Sequence, residues 1–447
     1  MFNKLHKKSR RDAVVVATAA LVLLGLAAGP AAAVPQIMST FGDQIAWTGA
    51  EINAMGGTGV AVYRGGMSNI FNPALLSDAT GYRLDGGVML DQEHEDRFQP
   101  LFDSFDSWVT DAAIASNRHH YWQTGFAAAG RIQAFDFPLA LGLSLADRYP
   151  FSYTFDEELL NPSPFPPGSG EPARDQLIEE RQRDVSGTLR TLSLGAGADV
   201  TDRISVGAAV HYAYGTRTEV NSVRDYITTD GDDSYRSEDA YDLSGMNVSV
   251  GVRGRISERV EVGLAWESAL EVDGDRTATL TDAAGTVTIV EDGSVEYPQM
   301  FRAGLVFRPR TDPRTVFTVE AEYKPWSEVK DSSLPDQDNP YGFEDVTDVR
   351  VGLEHTFYNG MPLRFGFRYL DAYADREGNA SVFSAGVGAP LGGGMVSASL
   401  ELTKMSTVEE HQFPYPTNYF GDNFNADPTA RVDDTRFRIG VGYRVEF

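Results

Sequence analysis

Few side chains in this sequence of 447 residues could carry out covalent chemistry, because it contains seven histidines and no cysteine. The lack of thiols in the sequence excludes disulfide frameworks, cysteine-ligated metal centres and thiol nucleophiles. A hydrolase or acyltransferase would instead need a serine within reach of a histidine. His119 and His120 accompany no recognisable serine motif, and His211 is expected to complete a hydrogen-bond network. The sequence therefore predicts neither an enzyme nor a cofactor.

Other residue patterns in the sequence suggest ligands only superficially. The stretch Gly56-Gly57-Thr58-Gly59 looks like a nucleotide-binding loop, but it lacks the Lys-Ser/Thr pair of a P-loop and no βαβ unit follows. A formal net charge of −26 excludes a nucleic-acid partner, which would require a basic surface. Two acidic loops have the clustered carboxylates that Ca2+ prefers, but neither matches an EF-hand, so solvated loop surface is the alternative and we predict no metal site. Their acidic residues are Asp230, Asp232, Asp233, Asp336, Asp338, Glu344 and Asp345.

The first 33 residues have the pattern of a signal peptide. Basic side chains between Lys4 and Arg11 precede an apolar stretch from Ala13 to Ala28, and Ala31-Ala32-Ala33 has the small residues of a cleavage site. A retained membrane anchor is the alternative, but the apolar stretch is short. We predict cleavage after Ala33 and export of the mature chain.

From Tyr82 onward the sequence alternates between two residue classes with a period of two, in segments of about ten residues separated by turn residues. Leu363, Phe365 and Phe367 alternate with Arg364 and Gly366, for example, which places an apolar set on one strand face and a polar or small set on the other. Fourteen such segments occur, an even number as in bacterial outer-membrane barrels. They are 82–91, 121–135, 139–153, 187–200, 204–216, 242–257, 260–270, 296–308, 315–325, 347–358, 361–372, 380–390, 394–405 and 434–447.

The connections between these segments favour a membrane barrel over a soluble β-sandwich. Tight turns such as 201–203 and 358–360 alternate along the chain with long polar connections such as 92–120 and 154–186. The final strand carries apolar residues on one face and ends at Phe447, which resembles the assembly signal of outer-membrane proteins. We predict an all-β, fourteen-stranded antiparallel transmembrane barrel over 82–447, recognised by the barrel assembly machinery through Phe447, in the outer membrane of a Gram-negative-type bacterium.

Residues 34–81 lie between the predicted cleavage site and the first strand, and here the sequence resembles a known family. The Gly-rich stretch 56–59, then Asn72-Pro73-Ala74 with Leu75, then fourteen strands resemble the FadL-type outer-membrane transporters of long-chain fatty acids and other hydrophobic compounds. The resemblance implies that 34–81 forms a hatch inside the barrel and that Asn72, Pro73 and Ala74 hold it against the wall. Many relatives have an acidic pair where this chain has Tyr63-Arg64-Gly65-Gly66. The alternative for Asn72-Pro73-Ala74 is a plain Asn-Pro turn.

The resemblance also implies capture of a hydrophobic ligand by outer loops, passage to an interior pocket and sideways release through the wall. Leu101, Phe102, Phe105, Trp108 and Val109 share one helical face by spacing, so we predict an exposed capture helix, or packing against the apolar residues of loop 154–186. Pro150 in the third strand marks either the kink that opens a lateral gap or the end of the strand at the outer rim.

A fatty-acid ligand would also need partners for its carboxylate. Arg302, Arg368 and Arg438 are predicted to point inward and are candidates for the ligand head group. The alternative is that they form an internal network with Glu320, Glu322 and Glu401.

Taken together, these features predict passive uptake of a hydrophobic small molecule through a plugged barrel surrounded by outer-membrane lipid and lipopolysaccharide. A partner-binding or secretion-assisting barrel of the same kind is the alternative function. A general porin fits less well, because a hatch obstructs an open channel and fourteen strands enclose a narrower lumen than 16–18 strands do.

Overall fold

A computed structural model describes residues 41–43, 48–103, 105–134, 137–161, 176–226, 234–332, 334, 339–374, 379–413, 425–426 and 429–447. The predicted signal peptide (1–33), Phe165 and the acidic residues 230, 232, 233, 336 and 338 lie outside these residues. The described helical elements are α1 (Ala50–Asn53), α2 (Ser68–Phe71) and the 3-10 helices Pro73–Asp78 and Trp326–Glu328.

Strands make up most of the described chain. They are β1 (Tyr82–Phe102), β2 (Trp108–Ala134), β3 (Phe137–Pro150), β4 (Tyr153–Leu160), β5 (Leu177–Thr201), β6 (Ile204–Asp225), β7 (Tyr235–Arg255), β8 (Val260–Glu267), β9 (Leu270–Asp282), β10 (Gly285–Tyr297), β11 (Met300–Phe307), β12 (Thr315–Lys324), β13 (Lys330–Asp331), β14 (Val346–Thr356), β15 (Pro362–Leu370), β16 (Ala380–Leu391), β17 (Gly394–Glu410), β18 (Asn425–Ala426) and β19 (Thr429–Glu446).

These strands form one closed antiparallel barrel. Four strands of the barrel are each divided into two consecutive segments (β3 with β4, β8 with β9, β10 with β11, β18 with β19). The two-residue β13 is not counted as a separate barrel strand, so the nineteen segments form 14 barrel strands. Closure is the pairing of β1 with β19, from Arg83 opposite Glu446 to Phe98 opposite Arg431. The predicted fourteen-stranded fold is confirmed.

The two faces of the wall have opposite chemistry, as the alternating sequence predicts. On β8, β11 and β12 the exposed side chains are apolar, among them Leu264, Leu305 and Val319, whereas Glu267 and Glu320 on the other face are buried. An apolar exterior over charged interior residues suits a wall that faces lipid. Among the described residues, no helix is long and apolar enough to cross a bilayer.

Several strands are longer than the sequence predicted, which changes the connections. β1 and β2 contain 21 and 27 residues and enclose only the turn 103–107, so the predicted capture helix within 92–120 is wrong. The alternation in β1 continues past residue 91, but Glu93, Glu95 and Arg97 occupy the buried face there. Because the inward face is charged there, the sequence lacks the alternation of apolar and polar residues that would have predicted these extensions of the strands.

Candidate functional site

The interior of the barrel is occupied by residues 41–43 and 48–81, called here the N-terminal segment. Most of its side chains are buried, including Ala54, Leu75 and Leu76. Its backbone is held by polar side chains of the wall. The Glu320 carboxylate of β12 accepts hydrogen bonds from the Gly59 and Val60 N–H groups at 2.9 and 2.8 Å, and Ser384 Oγ of β16 accepts one from Gly56 N–H at 3.1 Å.

The Asn-Pro-Ala motif joins the N-terminal segment to the wall at β7. Asn72 Oδ1 accepts a hydrogen bond from the Ala74 N–H at 3.1 Å and so caps the 3-10 helix that begins at Pro73. Its Nδ2 donates to Val60 O at 2.9 Å and to Val252 O at 3.2 Å. Asn72 and Ala74 are completely buried. The Asn72 side chain therefore caps the 3-10 helix, bonds to Val60 in the same segment and bonds to Val252 in the barrel wall.

A belt of inward-facing glycines lets the N-terminal segment lie directly against the strands, and sequence reasoning missed it. A Cβ at Gly197 would lie 2.6 Å from Pro73 O, and one at Gly352 would lie 2.7 Å from Met55 O. Other members of the belt are Gly142, Gly207, Gly251, Gly263, Gly304, Gly366 and Gly386. Cross-strand pairs such as Gly197 with Gly207, and Gly352 with Gly366, place them at matching heights. The available signal was the glycines inside otherwise alternating strands.

Charges on the N-terminal segment are matched by arginines. The Glu51 carboxylate lies 2.6 Å from Arg444 Nη1, with the Arg64, Arg364 and Arg83 guanidinium groups 3.6–3.9 Å away. Burial alone would raise the pKa of Glu51, but the four guanidinium groups outweigh it and hold this pKa well below its ordinary 4.5. Elsewhere, Asp78 of the segment bonds to Arg253 and Arg255, and Asp43 to Arg436 and Arg438.

The three arginines predicted to bind a ligand head group do point inward and are buried. Arg302 pairs with Glu322 and, at 3.0 Å, with Glu267. Arg368 pairs with Glu401. Arg438 pairs with Asp91 and Asp43, each at 2.8 Å. A ligand carboxylate at any of them would have to share or replace a protein carboxylate, so their head-group role remains a prediction.

The wall is interrupted beside Pro150. The β2–β3 ladder stops at Gly125 opposite Ala146, and the Asp147 Oδ2 atom then accepts the Thr124 N–H at 2.7 Å. The pairing of β3 with β5 shifts register between Asp147 and Tyr149. Beyond Pro150 the strand continues as β4, so Pro150 lies at a break within the wall and does not end the strand at the rim.

Past this break the two neighbouring strands do not form a ladder with each other. Within the described residues, β4 pairs with β5 alone, and the part of β2 that precedes Gly125 in the chain pairs with β1 alone. The Asp156 N–H donates to Asn117 Oδ1 at 3.3 Å, which joins the two strands through a side chain. The backbone ladder is therefore missing between β2 residues 117–124 and the chain from Asp147 to Asp156, a stretch called here the side window.

An aromatic cluster lies next to the side window, with Phe41 of the N-terminal segment at its centre. Five rings surround Phe41 edge-on at centroid distances of 5.1–6.5 Å, those of Tyr297, Trp326, Tyr341, Phe343 and Tyr373. Phe41 O accepts the Tyr297 hydroxyl at 3.0 Å, and two residues later Asp43 N–H donates to Pro150 O at 2.8 Å. The segment thus links the cluster to the break.

A cavity of about 240 Å3 adjoins this cluster. Phe41, Phe151, Val272, Val295 and Tyr297 provide much of its apolar lining. Arg217 and Arg276 also line it, but they pair with Glu219 and Asp239, respectively. The cavity therefore combines an apolar wall with cations that already have anionic partners.

The predicted capture residues lie at the tip of the β1–β2 hairpin. Leu101 and Phe102 end β1, Trp108 and Val109 begin β2, and Phe105 in the turn is 86% exposed. These five residues are close together because they lie at the ends of two paired strands, and they do not share the face of a helix.

His211 has the surroundings that the sequence predicts. His211 is buried and bonds to Ser193 Oγ at 2.8 Å and Ser249 Oγ at 2.9 Å, which is the predicted hydrogen-bond network. Among the described residues, no group of three or more His, Cys, Asp or Glu side chains is arranged to hold a metal ion.

Comparison with known proteins bears on this architecture. No family profile and no curated protein matches the sequence. Solved structures do match: a Pseudomonas aeruginosa FadL homologue has a TM-score of 0.61 at 12% identity, covering 90% of this chain and 99% of that one. This chain has the FadL-type fold. The Ralstonia pickettii toluene transporter TbuX (TM-score 0.55, 14% identity, 90% and 98% covered) and the P. putida toluene transporter TodX (0.56, 15%, 91% and 99%) share it.

Against this FadL-type fold, the N-terminal segment, the side window and the cavity are three parts of one arrangement. The segment fills the lumen, the cavity lies beside the segment's Phe41, and the window lies beside Pro150, which bonds to the segment's Asp43. Phe151, the residue after Pro150, is also part of the cavity lining, so the cavity and the side window are neighbours.

Proposed function

We propose that this chain is an outer-membrane transporter for the passive uptake of hydrophobic small molecules. The observation that carries the proposal is the side window beside an apolar cavity in a barrel whose lumen is filled by its own N-terminal segment. Two structures that share the fold are toluene transporters by name, and a third is a FadL homologue. The absence of a P-loop motif from the sequence supports uptake driven only by a concentration gradient.

The N-terminal segment acts as the hatch in this proposal, within a domain that spans residues 34–81 after removal of a signal peptide at 1–33. A filled lumen blocks water and ions, which disfavours a general porin. An apolar solute gains about 0.8 kcal/mol per CH2 group on leaving water for an apolar cavity. The filled barrel therefore favours apolar solutes over polar ones.

The proposed route begins at the tip of the β1–β2 hairpin, where Phe105, Trp108 and Val109 are exposed. It continues to the cavity beside Phe41 and leaves through the side window at Pro150 into the surrounding lipid. Arg302, Arg368 and Arg438 remain the candidates for a carboxylate head group if the cargo is a fatty acid. Their existing carboxylate partners make an uncharged cargo the easier one to accommodate.

The outer surface determines the proposed surroundings. Outer-membrane lipid and lipopolysaccharide would contact the apolar exterior, and Phe447, which is 74% exposed, would be read by the barrel assembly machinery. A partner-binding or secretion-assisting function is the alternative.

A covalent bridge across the side window tests the route. The sequence contains no cysteine, so Asn117→Cys combined with Asp156→Cys places the only two thiols on opposite edges of the window. After treatment with a short bismaleimide, uptake of labelled toluene and of a labelled long-chain fatty acid into proteoliposomes should fall to the level of empty vesicles. The untreated double variant and both treated single variants serve as controls and should transport normally. Uptake that continues at the untreated rate, with the bridge verified by mass spectrometry, would refute lateral release.

A further inference from the structure

The hairpin formed by β9 and β10 lines the cavity with residues near its base, and its tip has a further feature. The two strands pair from Gly285 opposite Asp282 to Tyr297 opposite Leu270, and β9 also pairs with β7. On its other side, β10 is bonded in the described chain only near its end, where Val295 and Glu296 pair with β13 and Ser294 O accepts the Ser332 N–H. Among the described residues, residues 285–292 of β10 therefore have no strand on that side and form the outer edge of the sheet made with β9 and β7. We call these residues the free edge.

The free edge is exposed and suited to strand pairing. Val287, Ile289 and Val290 are 61%, 52% and 69% exposed, and residues 285–290 carry no charge. β-branched residues favour extended backbone, and an unpaired edge presents backbone N–H and C=O groups to any strand that approaches. Natural barrels and sheets usually protect such an edge with charges, proline or a covering loop. Residues 285–290 contain neither charge nor proline.

The hairpin is held in a pairing-competent shape. Thr279 and Thr288 hydroxyls lie 3.3 Å apart across the two strands, and those of Thr281 and Thr286 lie 3.1 Å apart. These contacts fix one face of the hairpin, while Leu280, Val287 and Ile289 form the other face. An added strand would therefore find a preformed edge with one threonine-rich and one apolar face.

The charge around the free edge selects its occupant. Strands β7, β9 and β10 contain four arginines against ten acidic residues, and two of the four, Arg253 and Arg255, lie at the far end of β7 from the free edge. The acidic residues are Glu238, Asp239, Asp242, Glu271, Asp273, Asp275, Asp282, Glu291, Asp292 and Glu296. Such an acidic surface attracts a cationic partner and repels a second copy of itself.

From this edge and its charge we propose that residues 285–292 dock an extended, positively charged segment of another protein by adding it to β10 as a further strand. Backbone hydrogen bonds would supply the affinity, apolar side chains at alternate positions would contact Val287 and Ile289, and flanking lysines or arginines would face the carboxylates. Glu291 and Asp292 at the end of this edge also line the cavity, whereas Val287 and Ile289 do not.

The test uses a synthetic peptide, Lys-Thr-Val-Lys-Val-Thr-Val-Lys, and the same peptide with its backbone nitrogens methylated. Methylation keeps charge and side chains but removes the donors that strand pairing needs. Fluorescence anisotropy with full-length protein in nanodiscs should show binding of the unmethylated peptide at least about tenfold tighter, because several backbone hydrogen bonds are lost. Equal affinity of the two peptides, or no saturable binding, would overturn the proposal.

Two matched variants locate the site. Val287→Lys changes the edge strand and should weaken binding about fivefold, since it replaces an apolar cross-strand contact by a like charge. Leu280→Lys makes the same change at the residue directly opposite, on β9, which is paired on both sides, and should leave affinity within about twofold. Equal effects of the two variants would contradict edge docking. Val287→Cys protein that forms disulfide-linked dimers in outer membranes even when the peptide is present would also contradict it. Toluene uptake should be unchanged in Val287→Lys.

Discussion

The glycine belt predicts that one added methyl group will loosen the N-terminal segment. In Gly352→Ala the new Cβ would lie 2.7 Å from Met55 O, 2.8 Å from Thr318 Cγ2 and 2.9 Å from Thr58 Oγ1, where ordinary contacts begin at 3.4 Å. These three atoms belong to the N-terminal segment and to the neighbouring strand β12, so the methyl group has no free direction. The strands are fixed by their ladders, and the segment must retreat by about 0.7 Å, the difference between 3.4 and 2.7 Å.

The cost of this displacement follows from known overpacking effects. Extra methyl groups in packed interiors cost about 1–3 kcal/mol, and alanine recovers about 0.5–1 kcal/mol relative to glycine within a strand. A net cost of about 1.4 kcal/mol on docking of the segment would raise the undocked fraction about tenfold. In planar bilayers the frequency of conductance bursts should rise by this factor, while heat-modifiable migration on gels should show an intact barrel.

Gly254→Ala is the matched control for this prediction. It adds the same methyl group to a β7 glycine, where the nearest atom would be Val262 Cγ2 at 3.4 Å, and it should leave the bursts unchanged. Gly197→Ala, 2.6 Å from Pro73 O, should repeat the Gly352→Ala result at a separate point of the belt. If Gly352→Ala shows wild-type conductance and wild-type thermal stability, the reasoning from close contact is refuted.

Three other perturbations test the N-terminal segment. Asn72→Ala removes hydrogen bonds with Ala74 N, Val60 O and Val252 O and should lower the free energy of unfolding by about 2–3 kcal/mol. Circular dichroism measures this, and a loss no larger than that of Asn69→Ala would contradict it. Glu320→Gln weakens charge-assisted acceptance of two backbone N–H groups and should increase conductance bursts, whereas an unchanged trace would show that the charge is unimportant. Since the pKa of Glu51 lies below 4.5, its stabilising effect is complete above pH 4.5 and is lost only as the pH falls through the depressed value. Conductance should therefore be equal at pH 7 and pH 6 in the wild type and raised at both in Glu51→Gln, and a leak that develops between pH 7 and pH 6 in the wild type would count against this account.

The membrane-spanning part of the fold was predictable from the sequence because alternation reports directly on the two faces of a wall. The same rule failed above the membrane. In β1, Glu93, Glu95 and Arg97 face inward, and a strand with charges on its buried face does not look like a strand with an apolar buried face. The spacing of Leu101, Phe105 and Trp108 then suggested a helix that the hairpin replaces.

The candidate site was harder to predict because it depends on glycines, which have no side chain, and on contacts between residues far apart in the sequence. A glycine such as Gly352 carries no side chain to indicate what approaches it. The position of Phe41 among five rings depends on segments far apart in the chain. The inward direction of Arg302 followed from strand alternation, but its pairing with Glu267 and Glu322 required the register.

Asp147 has a consequence for the kinetics of transport. By accepting the Thr124 N–H, its carboxylate takes over the position where a neighbouring strand would continue the ladder, so the first donor at the edge of the side window has a partner. No strand needs to separate from another for a solute to leave, and on the proposed route the lateral step has no unzipping barrier. Exchange between cavity and lipid would then be fast in both directions, and the net direction of uptake would depend on how quickly the cell removes the compound from the membrane.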